Sequence, residues 1–100
     1  LHICGNTTDI LDNMIKTGCK ALSIEEKVVP EEGVKIVNKR AALIGNIGVV
    51  NPLLQGTPAD CMAHAKRCVA AGFDVISPGC GLSALISDDN LAAVVKAVKG

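Results

Sequence analysis

His2 and Cys4 stand two residues apart in Leu1–Gly5 (LHICG), a short apolar run that reads as a strand. Alternate residues of a strand leave the same face of a sheet, so this spacing sends an imidazole and a thiol the same way. Cys80 lies between glycines in Ser77-Pro78-Gly79-Cys80-Gly81, at the end of another apolar run, and Glu25 lies at the end of a third. All four positions fall at C-terminal strand ends, the rim where parallel α/β folds place their ligands. One imidazole, two thiolates and a carboxylate are the usual ligands of zinc. The competing reading is structural, because a His-x-Cys spacing arises by chance and cysteine is a common small core residue. The glycines beside Cys80 weigh towards a site, since they permit close backbone approach and the φ values of a tight loop.

Other chemistry-bearing residues read as structural. Cys61, His64 and Cys68 fall at i, i+3 and i+7 of a helix whose inward stripe must be Cys61, Ala65, Cys68 and Val69. Cys19 begins a strand and so lies at the opposite rim, as does Asp74. Gly45-Asn46-Ile47-Gly48 and Gly79-Cys80-Gly81 could cradle phosphate, but neither matches a Walker A or dinucleotide fingerprint.

The elements that must position these residues follow from periodicity and capping. Strands are expected at Leu1–Gly5, Ala21–Glu26, Ala41–Gly45 and Phe73–Pro78. A first helix, capped by Thr7 or Thr8, carries Ile10, Leu11, Met14 and Ile15 on one face and ends at Gly18. The second opens on Pro30 with Glu31 and Glu32 at the positive end of its dipole; Val34 and Val37 face inward, and Glu31 pairs with Lys35. Thr57-Pro58-Ala59-Asp60 is a capping-box start for the third helix, which Gly72 ends. Ser87, Asp88 and Asp89 open the last, with Leu91, Val94, Val95 and Val98 as its stripe. Strands alternating with amphipathic helices indicate parallel βαβ units, hence an α/β fold. Four such units make either about half of an eight-fold barrel, which averages roughly 31 residues per unit, or a small doubly wound sheet.

The length of 100 residues fits one domain. Ten Lys+Arg offset ten Asp+Glu, which removes the electrostatic case for a nucleic-acid or anionic-membrane partner. Phe73 is the lone aromatic, so base stacking and carbohydrate stacking are excluded. The hydrophobic content of 49% excludes a disordered chain. No stretch approaches the roughly 18 apolar residues of a membrane span, and no basic n-region followed by an apolar h-region opens the sequence. Five widely spaced cysteines read as free thiols of a cytoplasmic protein. A chain that enters strand at Leu1 without an initiator Met is expected to be part of a longer polypeptide.

Taken together and in this order, HICGNTTDIL, ALSIEEKV, GNIGVVNPLLQGTP and SPGCG resemble the C-terminal part of the methylcobamide:coenzyme M methyltransferases, a branch of the uroporphyrinogen decarboxylase superfamily. The resemblance covers essentially the whole chain. It implies that residues 1–100 are the C-terminal half of a (β/α)8 barrel whose N-terminal half is absent here. It also implies zinc held by His2, Cys4 and Cys80, with Glu25 as a displaceable fourth ligand that leaves when the thiol substrate arrives. The implied reaction moves a methyl group from a methylated corrinoid protein, carrying methylcobamide, to the thiol of coenzyme M. Leu82–Ile86 (LSALI) departs from the pattern, since relatives more often carry proline there.

Two further readings stand beside this one. The first is metal-free decarboxylation of a tetrapyrrole. The second is a non-catalytic half barrel that pairs with its missing partner or with itself. Arg40 precedes a strand, at the rim away from the expected metal, which makes it a poor partner for a sulfonate. A flat sheet would hold Cys4 and Cys80 roughly 14 Å apart across three strand intervals, so curvature must bring them together. An isolated half is therefore expected to bind zinc more weakly than an intact barrel.

Overall fold

The structure, a computed structural model, describes all residues from Leu1 to Gly100. Three parallel strands, β1 (Ala21–Ser23), β2 (Ala42–Ile47) and β3 (Val75–Pro78), form one sheet in the order β1-β2-β3. The register pairs Leu22 with Leu43 and Asn46 with Ser77. The helices are α1 (Leu11–Lys16), α2 (Pro30–Val37), α3 (Pro58–Ala71) and α4 (Asp88–Lys99). Sequential strands are neighbours joined through helices, so the α/β reading holds with three strands rather than four.

The expected strand Leu1–Gly5 is reduced to a single parallel bridge, His2 to Ser23. Two backbone hydrogen bonds hold it: the Leu1 amino group donates to Ala21 O (3.0 Å) and Ser23 N–H to Leu1 O (2.9 Å). Gly5, at φ +89°, then turns the chain away from the sheet. This short edge still lies beside β1, so His2 and Cys4 reach the C-terminal rim.

Local capping signals translate directly. Thr57 Oγ1 accepts from Asp60 N–H (3.2 Å), Asp60 Oδ2 accepts from Thr57 N–H (3.0 Å), and Gly72 at φ +109° ends α3. Ser87 Oγ accepts from Asn90 N–H at the start of α4. At the first helix the expectation changes: Thr7 makes no cap, and Asn6 Oδ1 instead accepts from Thr8 N–H (3.2 Å) and Thr8 Oγ1–H (2.6 Å) at a short 3-10 turn. Between β2 and α3, Val49–Leu54 forms an irregular helical turn broken at Asn51.

Three surface expectations are corrected by tertiary packing. Glu31 does not pair with Lys35; both of its oxygens accept from Arg67 of α3 at 2.9 Å, because a guanidinium fork matches a carboxylate better than a lone ammonium. Val69 lies on the exposed side of α3, while Cys61, Ala65 and Cys68 are fully buried. On α4, Val95 and Val98 face outward; Ala93 and Asn90 are buried, with Leu91, Val94 and Ala97 packed beside them. Small residues there let α4 lie close to α3. Asn90 Nδ2–H donates to Leu53 O (2.8 Å) and Gly56 O (3.0 Å), tying α4 to the irregular turn.

The core joins Leu22 of β1, Ile24 just after it, Leu43 and Ile47 of β2, and Leu53 with the buried side of α3. It fixes the C-terminal strand ends, from which the candidate site is built. No helix is long and apolar enough to cross a membrane.

Candidate metal centre

Ser23 pairs with His2 across the edge of the sheet, and its carbonyl and hydroxyl oxygens both lie 3.0 Å from His2 Nδ1. A carbonyl can only accept, so Nδ1 carries the proton and Nε2 presents its lone pair. His2 Nε2 lies 3.3 Å from Cys4 Sγ, and Cys4 Sγ lies 3.4 Å from Cys80 Sγ. The three ligand atoms all fall within 4.8 Å of one another. The roughly 14 Å separation of a flat sheet is therefore not what the chain adopts.

Gly79 explains how Cys80 crosses the sheet. Its N–H donates to Ile47 O (2.8 Å), so the chain leaving β3 folds over the end of β2. A Cβ at position 79 would stand 2.6 Å from Glu26 Oε2, 3.0 Å from Glu26 N and 3.1 Å from Glu25 Cα. The Glu26 carboxylate is the flexible end of its side chain, but the two backbone atoms would have to give by a few tenths of an ångström. Glycine therefore lets the loop lie closest to the end of β1, within reach of Cys4. The Glu26 oxygen pressed against it is buried without a hydrogen-bond partner.

Glu25 is buried beside the three ligands but is not one of the converging group. Its Oε2 accepts from Gly5 N–H at 2.7 Å, one residue beyond Cys4, and its Oε1 lies 3.9 Å from Lys27 Nζ. The hydrogen bond to Cys80 and the like charge of its thiolate push the Cys4 thiol above its ordinary range, and the Glu25 carboxylate adds to this. Thiol and carboxyl groups crowded in this way favour a bound cation.

The residues fit zinc. Two sulfurs bound tetrahedrally at roughly 2.3 Å stand about 3.7 Å apart, and a sulfur and an imidazole nitrogen about 3.6 Å. The observed 3.4 Å and 3.3 Å are close to those separations. A protonated Nδ1 anchored on a backbone carbonyl is the usual outer support of a metal-binding histidine.

The other chemistry-bearing residues are placed elsewhere. Cys61 Sγ donates to Pro52 O and Cys68 Sγ to Asn46 Oδ1, each at 3.4 Å, while His64 Nδ1 accepts from Gly48 N–H. Burial depresses the His64 pKa, the positive charge of Arg67 lowers it further, and the Glu26 carboxylate opposes both. Gly48 N–H donates to His64 Nδ1 and Gly79 N–H to Ile47 O, which takes one amide of each glycine-rich stretch away from a phosphate. Asp74 Oδ2 accepts from Leu43 N–H at the far rim, and Arg40 binds Asp12 there. Sequence reasoning missed Ser23 and the Gly5 amide; the one available signal was a hydroxyl in an otherwise apolar strand next to an H-x-C segment.

The profile of the uroporphyrinogen decarboxylase (URO-D) family matches residues 1–100. The chain belongs to that family. Among URO-D relatives, a methylcobamide:CoM methyltransferase MtaA of Methanosarcina barkeri is 42% identical over 97% of this chain, and a methylcobamide:CoM methyltransferase MtbA of Methanosarcina acetivorans is 37% identical over 99%. The solved structure of a methyltransferase from Methanosarcina mazei superposes with a TM-score of 0.94 at 38% identity over 99% of this chain. The chain spans 29% of the length of the two sequence relatives and 30% of the solved chain. The resemblance drawn from HICG, ALSIEEKV and SPGCG thus holds.

Proposed function

We propose that the chain carries the zinc-binding rim of an enzyme that transfers a methyl group from a methylated corrinoid protein to the thiol of coenzyme M. The observation that carries this reading is the convergence of His2, Cys4 and Cys80 within 4.8 Å, in a chain whose URO-D relatives are named methylcobamide:CoM methyltransferases. His2 Nε2 and the sulfurs of Cys4 and Cys80 would hold the ion, with Glu25 as a fourth, displaceable ligand. When bound, zinc supplies the positive charge that keeps a thiol deprotonated at neutral pH. Ser23 holds the His2 tautomer, and Gly79 lets Cys80 approach. The thiolate of coenzyme M forms a sulfur–carbon bond with the methyl group as the cobalt–carbon bond breaks. The electron pair of that bond stays on the metal, taking Co(III) to Co(I).

On the same reading, residues 1–100 are the C-terminal half of a (β/α)8 barrel, and the Leu1 segment and β3 are the edges that further strands complete. Exposed Val75 on β3 and Leu1 and Ile3 on the opposite edge supply apolar surface for that closure or for self-association. Metal-free decarboxylation rests on the family name alone and leaves the His/Cys/Cys set without a task.

The test is methylation of coenzyme M from methylcobalamin by the full-length protein, measured alongside zinc content. The expected result is turnover with one zinc per chain, both lost in Cys80→Ser. Turnover by a zinc-free protein would overturn the reading.

A further inference from the structure

We propose that Asn46 is a positioning residue for Glu25, gripping the turn that carries this carboxylate so that it reaches the amide beside Cys4. The inference rests on the reading of Glu25 as the fourth ligand and deepens it. Asn46 lies on β2 and is fully buried, where an amide is tolerated only if its hydrogen bonds are made. Its Nδ2 donates to Glu25 O (3.1 Å) and to Val28 O (2.8 Å), and its Oδ1 accepts from Cys68 Sγ (3.4 Å).

The two carbonyls are the two ends of one turn, Glu25 to Val28, closed by Val28 N–H on Glu25 O at 3.0 Å. A single side-chain amide thus clasps both ends of the segment between β1 and α2. From the first residue of that turn, the carboxylate runs to Gly5 N–H at 2.7 Å. The result is a continuous hydrogen-bonded path from α3 through Cys68, Asn46 and Glu25 to the residue after Cys4. Asn46 makes no hydrogen bond to His2, Cys4 or Cys80, so its influence on the ion must pass through Glu25.

Asn46→Asp is the informative variant. It keeps the shape and the acceptor for Cys68 but offers no N–H to the two carbonyls. Two readouts are taken on the full chain: hydrogen exchange of the Gly5 amide in the metal-free protein, and zinc affinity by competition with a chromophoric chelator. Asn46→Asp and Glu25→Ala should each speed Gly5 exchange by about tenfold or more, while the Gly79 amide on Ile47 O keeps its protection. Zinc affinity should fall about 10–100-fold in Asn46→Asp, as for loss of a partner that orients a ligand, at least as far in Glu25→Ala, and no further in the double variant than in Glu25→Ala.

Unchanged Gly5 exchange in Asn46→Asp, or losses of affinity that multiply in the double variant, would overturn the proposal. Should Asn46→Asp not fold, Cys68→Ala, which frees only Oδ1, should give a smaller acceleration at Gly5, and none would count equally against it. Failure of the unaltered protein to bind zinc would remove the metal reading, while the Gly5 amide would still decide the positioning role.

Discussion

The chain holds two sets of one histidine and two cysteines, and they have opposite fates. Cys61, His64 and Cys68 share one helix at spacings that suggest a common site, yet their polar atoms go separately to Pro52 O, the Gly48 amide and Asn46 Oδ1. His2, Cys4 and Cys80 are drawn from opposite edges of the sheet, and their ligand atoms face one another within 4.8 Å. Residue type and sequence proximity do not make a site. What decides is whether the fold gives each polar atom a private partner or leaves several aimed at one point. The helical set is consumed in stabilising the core, whereas the rim set is exposed enough to meet a substrate.

The largest contrast is expected from removing one sulfur in each set. Cys4→Ser should lower zinc affinity by far more than the roughly 10–100-fold typical of losing an outer hydrogen-bond partner, with little change in melting temperature. Cys68→Ala should leave zinc affinity within the smaller range expected through Asn46, and should cost about 1–2 kcal/mol of stability from a lost hydrogen bond and a small void. Chelator competition and denaturant titration separate the two effects. Equal behaviour of the two cysteines would erase the contrast.

Gly79→Ala sharpens it from the backbone side. A methyl group there swings the Glu26 carboxylate aside and, at 3.0 Å from Glu26 N and 3.1 Å from Glu25 Cα, shifts the Cys80 loop by a few tenths of an ångström from the end of β1. Zinc binding should weaken, by less than in Cys4→Ser, while the α3–α4 core is untouched. Zinc affinity equal to that of the unaltered protein would contradict this.

Ser23→Ala should have a smaller effect, at most about tenfold in zinc affinity, because the Ser23 carbonyl still receives the Nδ1 proton after the hydroxyl is lost. Isothermal titration checks it, and a loss as large as that of Cys4→Ser would show that the hydroxyl rather than the carbonyl orients the ring.

The smallest expected effect is a pH slope confined to the helical set. Burial holds the His64 pKa in the folded chain below its ordinary value of 6.5, so the unfolded chain binds the extra proton first. The stability this contributes is complete above pH 6.5 and is lost as pH falls through the lower folded pKa. His64→Gln should flatten the slope of denaturant midpoint against pH just below 6.5, and an unaltered slope would assign it to other groups.

What the sequence revealed depended on how far each interaction reaches. Thr57 with Asp60, and Ser87 ahead of α4, were legible because donor and acceptor lie within one turn of each other. The facing of Val69, Val95 and Val98 was misassigned, because periodicity shows that a helix has an apolar side but not which small residues its neighbour will accept. His2, Cys4 and Cys80 were identifiable as ligand types at strand ends. Their meeting point was not, because it requires the Gly79 loop to cross β2 and settle on Glu25 and Glu26. Ser23 and Asn46 stayed hidden for a related reason. One needs the edge register and the other the path of the Glu25–Val28 turn, and both are set by the assembled sheet.

Whether the metal sits at the rim or in the helix is decided by X-ray absorption at the zinc edge of the metal-loaded full-length protein, compared between wild type, Cys80→Ser and Cys68→Ser. With the metal at the rim, zinc should have two sulfurs and one imidazole nitrogen around it in the wild type and in Cys68→Ser, and a single sulfur in Cys80→Ser. A sulfur lost in Cys68→Ser and retained in Cys80→Ser would place the metal in the helix instead of at the rim.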